Sequence, residues 1–410
     1  MTQNPQTSLG MAAARQAILA PLTAIAGRER VSIRDALTRV LAEPVIAPCN
    51  VPAHDNAAMD GYAIRHVDLA PAGTTRLQVV GTAFAGRPFS GRIGAGQAVR
   101  IMTGAEIPQG ADTIVIQEHA RAEGASAIIP ANQEPLQNVR RAGEDVAQGS
   151  IALPSGKRCG AAEIGLIASL GIPEVSVVRR LRVAFFSTGD EIATIGQRLG
   201  PGQVYDSNRY TLFSALTLLG CELLDMGVIE DNPTALEQAF IDASANADAI
   251  LTSGGVSVGE ADFIRALMAR LGDVAFWKID IKPGRPMAFG RIGNAWIFGL
   301  PGNPVAVMVT FYQFVKDALL TLSGVSPLPE RVLFDATITS SVAKRPGRCE
   351  FLRGHLARAG AERTVSVAGA QGSGALKSMS DANCFIVLPE DQGNVAAGAT
   401  VPVQPFDGLF

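Results

Sequence analysis

Residues 248–305 read DAILTSGGVSVGEADFIRALMARLGDVAFWKIDIKPGRPMAFGRIGNAWIFGLPGNPV. The apolar run Ala249–Thr252 predicts a strand buried on both faces. It runs into Ser253-Gly254-Gly255, where missing Cβ atoms let backbone N–H groups approach a ligand closely. Glu260 and Asp262 then stand where a helix begins, and Lys278, Lys282 and Arg285 fall in a strand and turn. Pro301-Gly302-Asn303-Pro304 opens a second helix. Anion-binding and cation-binding groups in one strand–loop–helix region point to a phosphate-bearing ligand accompanied by a metal ion.

Around this stretch, strand and helix patterns alternate. Strands are expected at Arg182–Ser187, Glu222–Val228, Asp248–Thr252 and Phe276–Ile281. Helices are expected at Ser207–Leu219, Pro233–Ala245, Asp262–Leu271 and Pro304–Leu322. Such a βαβ series predicts a parallel sheet covered on both faces. Met287–Leu300 breaks the rhythm as a hairpin turning at Gly293-Asn294. Ligands of open parallel sheets bind beyond the carboxyl ends of the strands. Three loops at such ends are polar: 187–191, 253–257 and 282–285. A lone Ser-Gly-Gly is also an ordinary tight turn; three polar loops on one edge favour a site.

The rest of the chain reads differently. An amphipathic helix is expected over Leu9–Ala26, and Ser32-Ile33-Arg34-Asp35 resembles a capping box ahead of a short helix to Leu41. From Val51 to Asn138, short alternating runs separated by Gly and Pro predict a small β domain. A helix over Ala161–Leu170 stops at Gly171 and Pro173, and the last stretch returns to short strands. The predicted fold is a multi-domain α/β plus β chain. Its α/β domain takes 8–26 and 181–326, a linking α+β domain 27–50 and 140–180, an inserted β domain 51–139, and a C-terminal β-barrel-like domain 327–410.

At 410 residues, more than one core is expected. A net charge of -3 gives no reason to expect nucleic-acid binding. Five scattered cysteines without a CxxC pair fit a reducing cytoplasm and argue against structural zinc or a disulfide framework. The N-terminus lacks a positively charged leader, so no signal peptide is expected. The apolar stretch near Val305–Val315 looks too short to cross a membrane.

The charged residues admit two readings each. Asp190, Glu191, Asp231, Glu260 and Asp262 suit helix N-caps or first turns, where a carboxylate gains about 0.3–1 kcal/mol from the helix dipole. Phosphate chemistry also recruits Mg²⁺ through one or two carboxylates. Lys278 and Lys282 share parity, so one continuous strand would turn both to the same side. They could line a solvated face, but a cation 4 Å from an anion gains about 4 kcal/mol only at an effective dielectric of ~20, so the cluster is useful in a cleft. Asn303 and Pro304 suit the cap and first residue of a helix, whose free N–H groups would also face an anion. No Ser–His–Asp or Cys–His arrangement, P-loop or GxGxxG occurs, and the four histidines lack metal-ligand spacing.

Taken together, DNAAMDGYA, MTGAEIP, RRAGEDV, FSTGDEI, QVYDSNRY, TSGGVSVGEADF, FWKIDIKPGRPMAFG, FGLPGNPVA, PGRCEFLRG and QGSGALKSMSDANCFIVLPE resemble the molybdopterin molybdenumtransferases, the MoeA proteins and the gephyrin E domain. The resemblance covers essentially the whole chain. It implies an elongated, dimeric, four-domain subunit whose α/β domain is similar to the molybdopterin adenylyltransferase, itself a potential partner. It further implies a Mg²⁺-dependent enzyme that takes adenylylated molybdopterin and molybdate, inserts the metal at the dithiolene and releases AMP.

Residues carried over by the resemblance are Asp60, Thr103, Asp145, Glu191, Asp231, Asp262, Lys278, Lys282, Pro301, Pro304 and Ser373. Within this frame, Lys278, Lys282 and Arg285 would hold phosphate or molybdate oxygens, with Ser253, Gly254 and Gly255 in the same binding edge. Glu191, Asp231 and Asp262 would position Mg²⁺ or the attacking water. Asp60 and Thr103 would reach the cleft from a dimer partner. His54 stands where the family often has Phe, and Arg285 where Lys is frequent, which leaves molybdate against tungstate open.

Overall fold

A computed structural model describes residues 8–254, 262–360 and 362–407. Its centre is a seven-stranded sheet. The elements of this unit, in chain order, are β1 (Ser8–Leu9), α1 (Met11–Leu19), β2 (Arg182–Thr188), α2 (Ser207–Leu219), β3 (Glu222–Ile229), α3 (Pro233–Asn246), β4 (Ala249–Ser253), α4 (Asp262–Leu271), β5 (Gly272–Ile279), β6 (Pro286–Ile292), β7 (Ala295–Leu300) and α5 (Pro304–Thr310). The strand order is β1-β5-β6-β7-β4-β2-β3. Every neighbouring pair is parallel except those made by β6, which runs against β5 and β7. The Gly293-Asn294 hairpin thus inserts one antiparallel strand into the expected parallel sheet.

Alternation explains why the sheet is buried twice over. Val183, Phe185, Leu251 and Phe298 pack on one face with Leu216, Val307, Phe311 and Phe314. Ala184, Phe186, Ile250 and Ile297 pack on the other with Leu236, Phe240, Ile264 and Met268. Fully burying such a side chain is worth about 1.5–3 kcal/mol, so both helical layers are held by the same strands. The helices begin and end where local chemistry dictates. Asp206 accepts from the Arg209 N–H at the start of α2, and Gly220, at φ 82°, ends it. Asn232 accepts from the Ala235 N–H at the start of α3, with Pro233 in the first turn.

Three expectations are corrected. The first helix covers only Met11–Leu19, because Leu9 is drawn into the sheet beside Ile279 and Pro21 follows closely. Ser32 and Asp35 do make cap-like hydrogen bonds, but no helix follows. Thr38 sits at φ 66°, and the N–H groups of Thr38 and Leu41 go instead to the Cys159 and Lys157 carbonyls. Finally, Pro304–Leu322 is a continuous helical run of 19 residues, long and apolar enough to cross a membrane. The run is nevertheless mostly buried inside the protein, and a π-turn at Phe311–Val315 lies within it.

Strands between Gly61 and Pro130 form a six-stranded sheet with its own small cores. A further core joins Ala36, Leu41 and Val45 to Val146, Leu153, Ile167 and Val177, so segments distant in sequence share one cluster. Near the C-terminus, β8 (Phe334–Ile338), β9 (Cys349–Ala359), β10 (Glu362–Val367), β11 (Cys384–Leu388) and β12 (Thr400–Pro405) pair in the ring β9-β10-β8-β12-β11-β9. This closed barrel agrees with the β-barrel-like expectation. All five cysteines are free.

Candidate functional site

The carboxyl edge of the sheet meets the barrel around a cavity of about 870 Å³. The sheet side contributes Thr188, Glu191, Asp231, Gly254, Lys282 and Pro301. The barrel side contributes Arg348, Phe351, Arg353 and Ser373. The described parts of the three polar loops, at Thr188, Gly189 and Glu191, at Gly254 and at 282–284, therefore converge on this cavity. Asp231 precedes α3 and lies within 3.5 Å of the Thr188 hydroxyl, while Glu191 is exposed at the rim. Three cationic side chains, Lys282, Arg348 and Arg353, share the wall with those two carboxylates.

Several predicted residues lie elsewhere. Lys278 and Lys282 do not share a strand. β5 ends at Ile279, the Ile279 N–H goes to the Arg285 carbonyl, and Ile281–Lys282 pairs in parallel with β9. Lys278 stays in the sheet between Ser8 and Pro286; Pro286 lines the cavity, Lys278 does not. Arg285 is exposed and also absent from the lining. Ser253 is buried beneath the edge, accepting from the Asn208 side chain. Pro304 occupies the first turn of α5 behind Asn303. Gly255 and Glu260 lie outside the described residues, as does the side chain of Asp262 at the start of α4. Asp145 is exposed on the turn after Arg141, where its N–H donates to the Val51 carbonyl, and it does not line the cavity.

Asp60 and Thr103 form a pair on the inserted sheet, also outside the lining. The main-chain N–H and the hydroxyl of Thr103 both donate to Asp60 Oδ1 at 2.7 Å. The Thr103 N–H, then its hydroxyl, hold the Asp60 carboxyl below the usual carboxylate range, with Arg100 adding a smaller pull. The sign follows directly: the ionised pair stabilises the fold above the ordinary carboxylate pKa, and that contribution fades as pH falls through the depressed value. Thr103→Val keeps the N–H and removes the hydroxyl, so the Asp60 pKa should rise toward its ordinary value in an NMR titration. An unmoved titration would remove the hydroxyl from the account.

Besides Arg348, two buried contributors escaped the sequence reading as site residues. Arg353 is 0% exposed. Its Nε donates to Ser378 Oγ at 3.0 Å, and one terminal nitrogen donates to the Ala370 and Gly372 carbonyls at 2.9 and 3.0 Å. The other, Nη1, is enclosed without a hydrogen-bond partner. Burial pulls this guanidinium below its usual range. Asn208, in the first turn of α2, is the second: its amide donates to Ser253 Oγ at 2.7 Å and to the Gly302 carbonyl at 2.6 Å. One buried side chain thereby ties the loops after β4 and β7 together.

The carboxylates suit a Mg²⁺ ion only in a particular sense. No cluster of three or more His, Cys, Asp or Glu that could hold a metal exists among the described residues. Glu191 and Asp231 do line one cavity with cations beside them. Mg²⁺ usually takes one or two carboxylates and completes its shell with water and substrate phosphate, so this donor set fits an ion that arrives with an anionic ligand.

Residues 9–171 match the family described as "MoeA N-terminal region (domain I and II)". Residues 184–321 match "Probable molybdopterin binding domain", and 335–406 match "MoeA C-terminal region (domain IV)". A molybdopterin molybdenumtransferase of Haemophilus influenzae is 44% identical over 400 residues, spanning 97% of this chain and 98% of that one. One of Bacillus subtilis is 33% identical over 92% and 89% of the two chains. The crystal structure of a molybdopterin biosynthesis moeA protein from Pyrococcus horikoshii superposes with a TM-score of 0.83 at 27% identity, covering 98% of this chain and 100% of that one. The chain therefore belongs to the molybdopterin molybdenumtransferase family, enzymes of molybdenum cofactor biosynthesis.

Proposed function

We propose that the cavity takes adenylylated molybdopterin together with molybdate, joins the metal to the dithiolene and releases AMP. The observation that carries this reading is a cavity lined by Lys282, Arg348 and Arg353 together with Glu191 and Asp231, in which the enclosed Nη1 of Arg353 lacks a partner. A buried cation with an unmet donor in a cavity wall suits an oxyanion, because charge-assisted hydrogen bonds strengthen as water is excluded.

In this reading Lys282, Arg348, Arg353 and the Ser373 hydroxyl hold phosphate or molybdate oxygens. Glu191, Asp231 and Asp262 would hold Mg²⁺, which supplies charge neutralisation at the phosphates when bound. A water oriented by a carboxylate adds its oxygen to the adenylyl phosphorus. The bond from that phosphorus to the bridging oxygen breaks, and the pterin phosphate keeps the electron pair while AMP departs. Two Mo–S bonds form as one oxo ligand leaves as water with the two thiol protons. The Asp60–Thr103 pair and Asp145 belong to the same chemistry through a second copy of the chain, in a cytoplasmic homodimer that receives its substrate from the molybdopterin adenylyltransferase. Lys278 and Arg285 do not line the cavity themselves, although Pro286, which follows Arg285 and pairs with Lys278, does; they act through the turn that presents Lys282.

Incubation with adenylylated molybdopterin, Mg²⁺ and molybdate tests this. AMP release that requires molybdate is the expected result. Release without molybdate would mark a pterin-nucleotide hydrolase, and no release at all would leave a scaffold like the gephyrin branch.

A further inference from the structure

Lys282 reaches the cavity with a counter-ion already attached. Its ammonium donates to Glu350 Oε2 at 3.1 Å. The two side chains are unequally placed: Lys282 is half exposed at the wall, whereas only 6% of the Glu350 side chain is accessible. Backbone pairing fixes them as neighbours, since Lys282 stands opposite Glu350 where Ile281–Lys282 pairs with β9. Lys282 lines the cavity; Glu350 stands behind it and does not. The carboxylate is therefore held in place by burial, and the lysine is the partner able to move.

We propose that Glu350 is a specificity-determining residue that sets the anion affinity of this cavity. It holds the Lys282 ammonium at the wall and subtracts one negative charge's worth of attraction from any anion that binds there, keeping the oxyanion exchangeable. The inference rests on the reading of the cavity as an oxyanion site. Two separable effects follow from the geometry. An anion must share the ammonium with Glu350, a cost that is the same for every anion of one shape. It must also sit in the field of the buried carboxylate, a cost proportional to its own charge.

Molybdate, a dianion, and perrhenate, a tetrahedral monoanion of similar size, separate these effects by isothermal titration at fixed ionic strength. Glu350→Gln keeps the hydrogen-bond acceptor and removes the charge. It should tighten molybdate on the order of tenfold and perrhenate by roughly threefold, as a field that scales with ligand charge requires. Glu350→Asp keeps the charge but draws the carboxylate back from Lys282, so it should tighten both anions, each by less than Glu350→Gln does. This second variant decides the matter if the first gives a poorly folded protein. Unchanged or weaker molybdate binding in both variants, or an equal gain for the two anions in Glu350→Gln, overturns the assignment. Failure of the unmodified protein to bind molybdate removes the oxyanion reading itself, and this inference with it.

Discussion

Arg353→Met is expected to abolish tight oxyanion binding and to lower turnover by about 10²–10³-fold, the range seen when a preorganised donor is removed from a site of developing charge. Methionine occupies the apolar stem's volume but carries no charge and no fork. The Ser378 hydroxyl and the Ala370 and Gly372 carbonyls lose their donor together. Hydrogen bonds to a charged group are worth about 1.5–3 kcal/mol each. Part of that sum is returned, because the variant no longer buries a cation. A net loss of about 2–4 kcal/mol in urea denaturation is expected. Arg353→Lys separates the two roles: it restores the charge but cannot reach three acceptors at once, so it should recover some anion affinity while the loop at Gln371–Ser373 stays loosened. Wild-type affinity in Arg353→Met would reduce Arg353 to a structural staple for that loop.

Arg353 also marks what the sequence could not disclose. It sits in PGRCEFLRG, a segment legible only through resemblance, and nothing in its local pattern sets it apart from an exposed arginine on a strand. Its burial follows from β9 closing the barrel and from Gln371–Ser373 folding across it, contacts some 18 residues apart in sequence. The parity of Lys278 and Lys282 failed for a related reason: it assumed one continuous strand, whereas the chain leaves the sheet after Ile279 and joins the barrel at Ile281–Lys282. By contrast, the sheet itself was readable. Ala249–Ser253 is buried at every position, as a strand covered on both faces must be, and the capped starts of α2 and α3 sit at Asp206 and Asn232. Local chemistry that needs no partner was visible. Ser32–Asp35 shows the limit even there, because its cap-like bonds formed and the helix was still overruled by hydrogen bonds to Lys157 and Cys159.

Gly254→Ala should damage both the fold and the site, by a route the opening stretch only half disclosed. The missing Cβ atoms in Ser253-Gly254-Gly255, those of the two glycines, suggested close approach to a ligand. In the structure the close approach is between two loops: a Cβ at Gly254 would lie 2.5 Å from the Thr188 carbonyl oxygen, a backbone atom with no rotamer to yield. Gly254 also has φ 95°, where an L side chain is strained. Strain of about 1–3 kcal/mol adds to about 1–3 kcal/mol for forcing extra volume into a packed junction, so a loss of about 2–6 kcal/mol is expected in urea denaturation. The relief available is to push the loops after β2 and β4 apart. Asn208 opposes that movement on one side, since its amide holds Ser253 and Gly302 together. The displacement would therefore fall on Thr188 and the neighbouring Asp231, whose carboxylate faces the cavity. Turnover should consequently drop more than molybdate affinity, because two of the three oxyanion cations, Arg348 and Arg353, lie on the barrel side. An equal loss of both would show that the junction carries the whole cavity, and full stability in the variant would show that the two loops are free to separate.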